Sequence, residues 1–249
     1  MKTMSISNGW YYFLIIAVCS YLIGCINFAI IISRVKNHGE KDIRSMGSGN
    51  PGMLNMSRAY GMKVGVLILF LDIMKGVVPC LTAKLLFKNV YYSSNGLCLQ
   101  DTALALAGLG AVCGHVFPFW LKFKGGKGIS TTIGVFLVAQ PLWVVIFGVS
   151  AIVFILLTNM GSMGSFIATT PSAIVTCYKF YLKCVSNSIT LNWVFYATQF
   201  IVFLIIVITW WAHRVNIVRL IKGEEHPTNW LQMIKNMKFK SKLKKQKNK

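Results

Sequence analysis

Long runs without a charged side chain constrain this chain most. None occurs from Trp10 to Ile32, from residue 129 to 157, or from residue 193 to 212. A bilayer core about 30 Å thick is crossed by about 20 apolar helical residues. In lipid the backbone must satisfy its own polar groups, so continuous apolar runs select helices. Spans are expected near 10–32, 62–87, 102–117, 166–182 and 193–212. The 129–157 stretch is too long for one upright span. Gln140-Pro141 divides it into two short helices, because proline lacks an N–H and disfavours helix at the residue before it. The predicted fold is all-α: a polytopic membrane protein of about seven transmembrane helices. Residues 1–230 form a single membrane domain and 231–249 a basic tail. Polar loops fall at Ser33–Tyr60, Lys88–Asp101, 118–128 and Thr158–Ser165.

Charge sets the orientation. The chain is 55% hydrophobic and only 13% charged, with 26 Lys+Arg against 6 Asp+Glu; a soluble domain carries about 25% charged residues. The cations gather in three places. Arg34, Lys36, Lys41, Arg44 and Arg58 lie in the first loop, and Lys122, Lys124 and Lys127 in the third. Arg214, Arg219, Lys222 and the lysines from Lys235 to Lys249 close the chain. An odd number of crossings puts all three on one side. By the positive-inside rule that side is the cytoplasm, with the N-terminus outside and the C-terminus cytoplasmic. Lys84 and Lys88 fall on the opposite side. The terminal lysines suit anionic head groups, at roughly 1 kcal/mol per lysine near the surface. No aromatic interleaving supports nucleic-acid binding. The first apolar run is too long for a cleaved signal. None of the 7 cysteines forms a Cys-x-x-Cys pair, so neither a disulfide framework nor a zinc site is expected. No metal or other cofactor is expected either.

Three polar clusters fall on the cationic side. The first is Gly47-Ser48-Gly49-Asn50-Pro51-Gly52, followed by Asn55 and Arg58. Its glycines allow positive φ, so the loop can turn N–H groups toward an anion. Arg58 adds a fork that fits phosphate; alternatively the segment is only a turn between helices. The second is Gly114-His115-Val116-Phe117-Pro118, then Lys124-Gly125-Gly126-Lys127-Gly128. Donors and an ammonium at a helix start suit phosphate. The P-loop pattern fails at Gly128. His115 is either catalytic or a helix-end hydrogen bond. The third runs from His213 through Asn216 and Arg219 to Glu224 and could supply a base, an anion contact and a counter-charge. Its alternative is an amphipathic helix end at the interface. Within the second span, Asp72 and Lys75 form either a structural ion pair or a catalytic pair.

Together these clusters resemble the bacterial acyl-phosphate:glycerol-3-phosphate acyltransferase family. G-S-G-N-x-G-x-x-N-x-x-R corresponds to Gly47–Arg58, with Asp72-x-x-Lys75-Gly76 downstream. G-H-x-F-P and F-K-G-G-K-G correspond to Gly114–Gly128. H-R-x-N-I-x-R-L-x-x-G-x-E is read here as His213–Glu224. The resemblance implies catalytic roles for Ser48, Arg58, His213 and Asn216. It implies substrate binding by Gly47, Gly49, Asn50, Asn55, Lys124, Gly125, Gly126, Lys127, Gly128 and Ser162. Structural roles fall to Asp72, Lys75, His115 and Glu224. The implied reaction moves an acyl group from acyl phosphate to glycerol 3-phosphate at the bacterial inner membrane. Membrane lipids and the enzyme that supplies acyl phosphate are the implied partners. The general base is His213 or a substrate phosphate oxygen. Two segments depart from the pattern: Leu54 replaces the usual threonine, and Asn159-Met160-Gly161-Ser162-Met163-Gly164-Ser165 replaces R-Y-x-S-L-x-S. No histidine precedes an aspartate by five residues, which argues against the acyl-CoA-dependent class. A small-anion or phosphate transporter is the alternative; the missing inverted halves disfavour it.

Overall fold

The computed structural model describes residues 2–4, 6–225, 227–228 and 230. The expected tail over 231–249 lies outside the described residues. Strand β1 (Lys2–Met4) leads into α1 (Ile6–Gly24), and α2 (Phe28–Lys36) follows after a break. The expected single span over 10–32 is thus divided at Asn27. Its backbone is extended and its side-chain oxygen accepts the Ile30 N–H at 3.1 Å. That N-cap ends one helical axis and begins another.

The Ser33–Tyr60 segment is more ordered than a loop. It holds the end of α2, a 3-10 turn at Ile43–Ser45 and helix α3 (Met53–Tyr60). Helix α4 (Met62–Leu86) and strand β2 (Val90–Tyr92) come next. β2 pairs in parallel with β1, Lys2 opposite Val90, a small departure from the all-helical expectation. Three-residue strands carry no periodicity that a sequence could reveal.

Helix α5 (Gln100–Val116) is the centre of the bundle. It is buried on nearly every side from Thr102 to Val116 and is rich in Ala and Gly. A Cβ at Gly114 would collide with the Tyr21 carbonyl, and one at Gly24 with the Ala111 carbonyl. These small residues let α1 and α5 backbones approach closely, a common device in lipid, where little hydrophobic force separates or joins helices. Helices α6 (Ile129–Ala139) and α7 (Pro141–Thr158) are divided at Gln140, with Pro141 as the first residue of α7, a position proline favours.

Helix α8 (Gly161–Ser186) starts earlier than the expected span at 166. The loop expected over Thr158–Ser165 shrinks to Asn159 and Met160. The hydroxyls of Ser165, Thr169, Ser172 and Thr176 each donate to the carbonyl four residues before them. Ser165, expected in the loop, and the three hydroxyls within the expected span are thereby satisfied inside one helix. Helix α9 (Trp193–Ala212) and the short α10 (Arg214–Ile221) complete the fold.

Among the described residues five segments are long and apolar enough to cross a membrane: Gly9–Lys36, Met62–Leu86, Gln100–Leu121, Pro141–Thr158 and Trp193–Ala212, with Ile129–Ala139 apolar but shorter. Large apolar side chains face outward on them, including Leu14, Phe70, Leu142, Val149, Phe200 and Phe203. Exposed apolar surface this continuous needs lipid as its solvent. The chain is a multi-pass membrane protein.

Candidate active site

The first cluster is built around one buried amide. Asn55 on α3 is 2% exposed. Its oxygen accepts the Ser48 N–H at 3.2 Å, and its nitrogen donates to the carbonyls of Met46 at 2.8 Å and Ile43 at 3.3 Å. The side chain is used within the loop, so Asn55 shapes the cluster from inside rather than lining it. Gly47 and Gly49 have φ of 54° and 70°, the left-handed region that glycine enters freely. Asp42 pins the preceding turn: its carboxylate accepts from the Arg44 backbone at 2.9 Å and from its guanidinium. The Arg44 bonds hold the Asp42 carboxyl down to about 2. Ser48 and Arg58 are left exposed on this frame.

The second cluster folds back on the end of α5. Gly125 N–H donates to the Val116 carbonyl and Gly126 N–H to the His115 carbonyl, both at 3.1 Å. These two donors are therefore committed to the backbone, contrary to the expectation that they face an anion. A Cβ on Gly126 would collide with the His115 imidazole, so this glycine serves close approach. Gly128, with φ of 82°, caps α6, whose first turn has no side-chain cap bond. Such a turn offers N–H groups and the positive end of the helix dipole. Lys124 is exposed, whereas Lys127 is half-buried.

Beneath this loop lies a buried trio. Lys75 Nζ meets Asp72 Oδ1 at 2.8 Å, and His115 Nδ1 is 3.8 Å from the same oxygen. Lys75 also donates to the Ile26 carbonyl at 2.9 Å, satisfying an acceptor freed by the break after α1. Among the described residues His115 Nδ1 has no hydrogen-bond partner, so this nitrogen does not make the helix-end hydrogen bond considered from the sequence.

The third cluster meets the second directly. Lys127 Nζ donates to Asn216 Oδ1 at 2.6 Å. Burial pushes the Lys127 ammonium down to about 8; Glu225 opposes that and Arg219 adds to it. His213 sits at the joint of α9 and α10, 3% exposed, with Nδ1 2.9 Å from the Thr209 carbonyl. A carbonyl can only accept, so Nδ1 carries the proton and Nε2 the lone pair. Burial, with Lys127 nearby, holds His213 down to about 4.

The acid at this site is Glu225, not Glu224. Glu224 is exposed. Glu225 Oε1 accepts the Ser162 N–H at 3.0 Å, capping the start of α8, and its charge bears on Lys127. The signal was in the motif itself: its closing G-x-E, counted from Gly223, ends on Glu225. The following residues tie in the first cluster. Arg58 Nη2 donates to the Pro227 carbonyl at 3.3 Å, and Thr228 donates from N and Oγ1 to the Asn159 carbonyl. Leu54 Cδ1 and Thr228 both border Gly161, so the two departures from the family pattern are neighbours in space.

The arrangement can hold an anion at Lys127 and the α6 start, beside an uncharged imidazole, while Arg58 is tied to the segment that follows Glu225. Among the described residues no group of three or more His, Cys, Asp and Glu could hold a metal ion.

The profile of the family described as glycerol-3-phosphate acyltransferase matches residues 14–223. A glycerol-3-phosphate acyltransferase of Thermoanaerobacter pseudethanolicus is 35% identical over 220 residues, covering 86% of this chain and 94% of that protein. One from Anaeromyxobacter dehalogenans is 37% identical over 212 residues, covering 85% and 94%. The fold is similar to crystal structures of PlsY (YgiH), an integral membrane glycerol 3-phosphate acyltransferase. The glycerol 3-phosphate form gives a TM-score of 0.67 at 30% identity, covering 90% of this chain and 98% of that one. The lysophosphatidic acid form gives 0.69 at 28%.

Proposed function

Because the chain belongs to the glycerol-3-phosphate acyltransferase family, we propose that it moves a fatty acyl group from acyl phosphate to the 1-hydroxyl of glycerol 3-phosphate. The products are lysophosphatidic acid and inorganic phosphate, the first step of phospholipid assembly. The site faces the cytoplasm from the bacterial inner membrane, with the N-terminus outside. The observation that carries this reading is the convergence of Lys127, Asn216, His213 and Glu225, with Arg58 tied to the same terminal segment.

The chemistry suits these groups. An acyl phosphate already carries a good leaving group, so positioning supplies much of the rate. Two anions must meet, and Lys127, Arg58 and the α6 N–H groups offset their repulsion and stabilise the departing phosphate. Ser48 contributes a hydroxyl beside Arg58, and Asn216 holds Lys127 in place. The 1-hydroxyl oxygen attacks the acyl carbon, the carbon–oxygen bond to phosphate breaks, and the hydroxyl proton passes to a base. At about 4, His213 is a weaker base than a phosphate monoester, which titrates near 6. That difference of about two units favours a phosphate oxygen as proton acceptor by roughly a hundredfold. His213 Nε2 then orients the hydroxyl as a hydrogen-bond acceptor. The enzyme that supplies acyl phosphate is the natural partner.

The test uses purified protein with palmitoyl phosphate or palmitoyl-CoA and labelled glycerol 3-phosphate. Lysophosphatidic acid should form from the phosphate donor alone, and Arg58→Ala should abolish it. Product from acyl-CoA, or none from either donor, would overturn the donor assignment. Phosphate flux in liposomes without donor would favour transport instead.

A further inference from the structure

We propose that a groove between α4 and α6, at the end of the bundle away from the active site, binds an anionic phospholipid. Its walls are Val77, Leu81 and Leu85 of α4 with Leu137 and Val138 of α6. Lys84, Lys88 and Gln100 stand at its head. The groove encloses about 450 Å³.

Helical spacing orders these residues. Val77, Leu81 and Leu85 recur at steps of four, with Lys84 beside them, so they share one face of α4, and Lys88 follows two residues past the end of that helix. That face runs from apolar to cationic toward the end of the helix, the same order as the tail and head of a lipid. Leu81 is 43% exposed and Leu85 61%, so the apolar part is open to the bilayer. The cationic part is fixed as well. Lys84 Nζ donates to the Val138 carbonyl at 2.9 Å, which satisfies a carbonyl near the end of α6 and holds the ammonium over the groove. Lys88 lies one turn further on, exposed, and its ammonium has no hydrogen bond or ion pair among the described residues.

No lining residue is acidic. The nearby Asp101 is occupied by Lys183, at 2.5 Å. Lys84 and Lys88 at the groove, with Lys179 and Lys183 on α8, run against the asymmetry that places the other cationic clusters at the active-site end; Lys183 is taken up by Asp101, and topology gives no account of the groove pair. An anionic head group does. Its phosphate would lie between Lys84 and Lys88, with Gln100 as a further donor and one acyl chain along Leu81, Leu85 and Leu137. A zwitterionic lipid carries its own cation and gains less. Attraction of about 1 kcal/mol per lysine corresponds to about fivefold in affinity for each.

The test is native mass spectrometry of the full chain released from nanodiscs containing equal phosphatidylglycerol and phosphatidylcholine. Wild type should retain phosphatidylglycerol preferentially. Lys88→Gln, which breaks no contact, should lower that preference about fivefold, and Lys84→Gln with Lys88→Gln about twenty-fivefold. Lys179→Gln, at the same end but outside the groove, should keep it. All variants retain the terminal lysines, so lipid held there cancels in the comparison. Equal retention of the two lipids by wild type, or an unchanged preference in Lys88→Gln and the double variant, would overturn the proposal.

Discussion

Raising the pH from 7 to 9 should discharge Lys127. Burial brings this ammonium down to about 8; an exposed lysine titrates near 10.4. At pH 7 about nine-tenths of the free enzyme then carries the cation, and at pH 9 about one-tenth. If the cation holds a substrate phosphate, kcat/KM for glycerol 3-phosphate falls about tenfold over that interval, because kcat/KM reports ionisations of the free enzyme. Bound phosphate raises the ammonium pKa, so kcat should hold to higher pH. Two variants assign the limb. Lys127→Arg moves it beyond pH 10 at reduced activity. Glu225→Gln removes the charge that opposes the effect of burial and moves the limb to lower pH. The assay is initial-rate acylation of labelled glycerol 3-phosphate in buffers of constant ionic strength. A flat wild-type kcat/KM from pH 7 to 9, or an unmoved limb in Lys127→Arg, would refute the assignment.

Three further outcomes follow from the packing. Gly126→Ala places a methyl group against the His115 imidazole; the loop must shift, so KM for glycerol 3-phosphate should rise several-fold with the fold intact by thermal melting in detergent. Asn55→Ala removes the amide that joins Ser48, Met46 and Ile43 and leaves buried groups unpaired, at about 1–3 kcal/mol. Its melting temperature should drop and turnover should fall with it. Lys75→Met strands the Asp72 carboxylate in the interior, costing about 3–5 kcal/mol, whereas adding Asp72→Asn should restore most of the loss. A double variant no more stable than Lys75→Met would show that the pair is not what the single change disrupts.

Much of the bundle is legible in the sequence because lipid imposes a simple length rule. The stretch from 193 to 212 carries no charge and coincides with α9, and Gln140-Pro141 marks the joint of α6 and α7. The joint at Asn27 is hidden, since one capping amide inside an apolar run leaves hydropathy unchanged. The start of α8 is hidden for the opposite reason: its serines and glycines resemble a loop until Glu225, far away in sequence, caps them. Within the site, residue types point to anion binding but not to which donors are free. Gly125 and Gly126 spend their N–H groups on α5 carbonyls, and Asn55 spends its amide on its own loop. Such commitments depend on tertiary approach, which spacing along the chain does not encode.

The reaction itself is tested most directly by following one oxygen atom. Palmitoyl phosphate labelled with oxygen-18 at the bridging position is turned over with glycerol 3-phosphate, and both products are weighed by mass spectrometry. Attack on the acyl carbon predicts that the label leaves entirely with inorganic phosphate and that lysophosphatidic acid carries none. Label retained on the acyl group would mean that the phosphorus–oxygen bond breaks instead, and acyl transfer at this site would be contradicted.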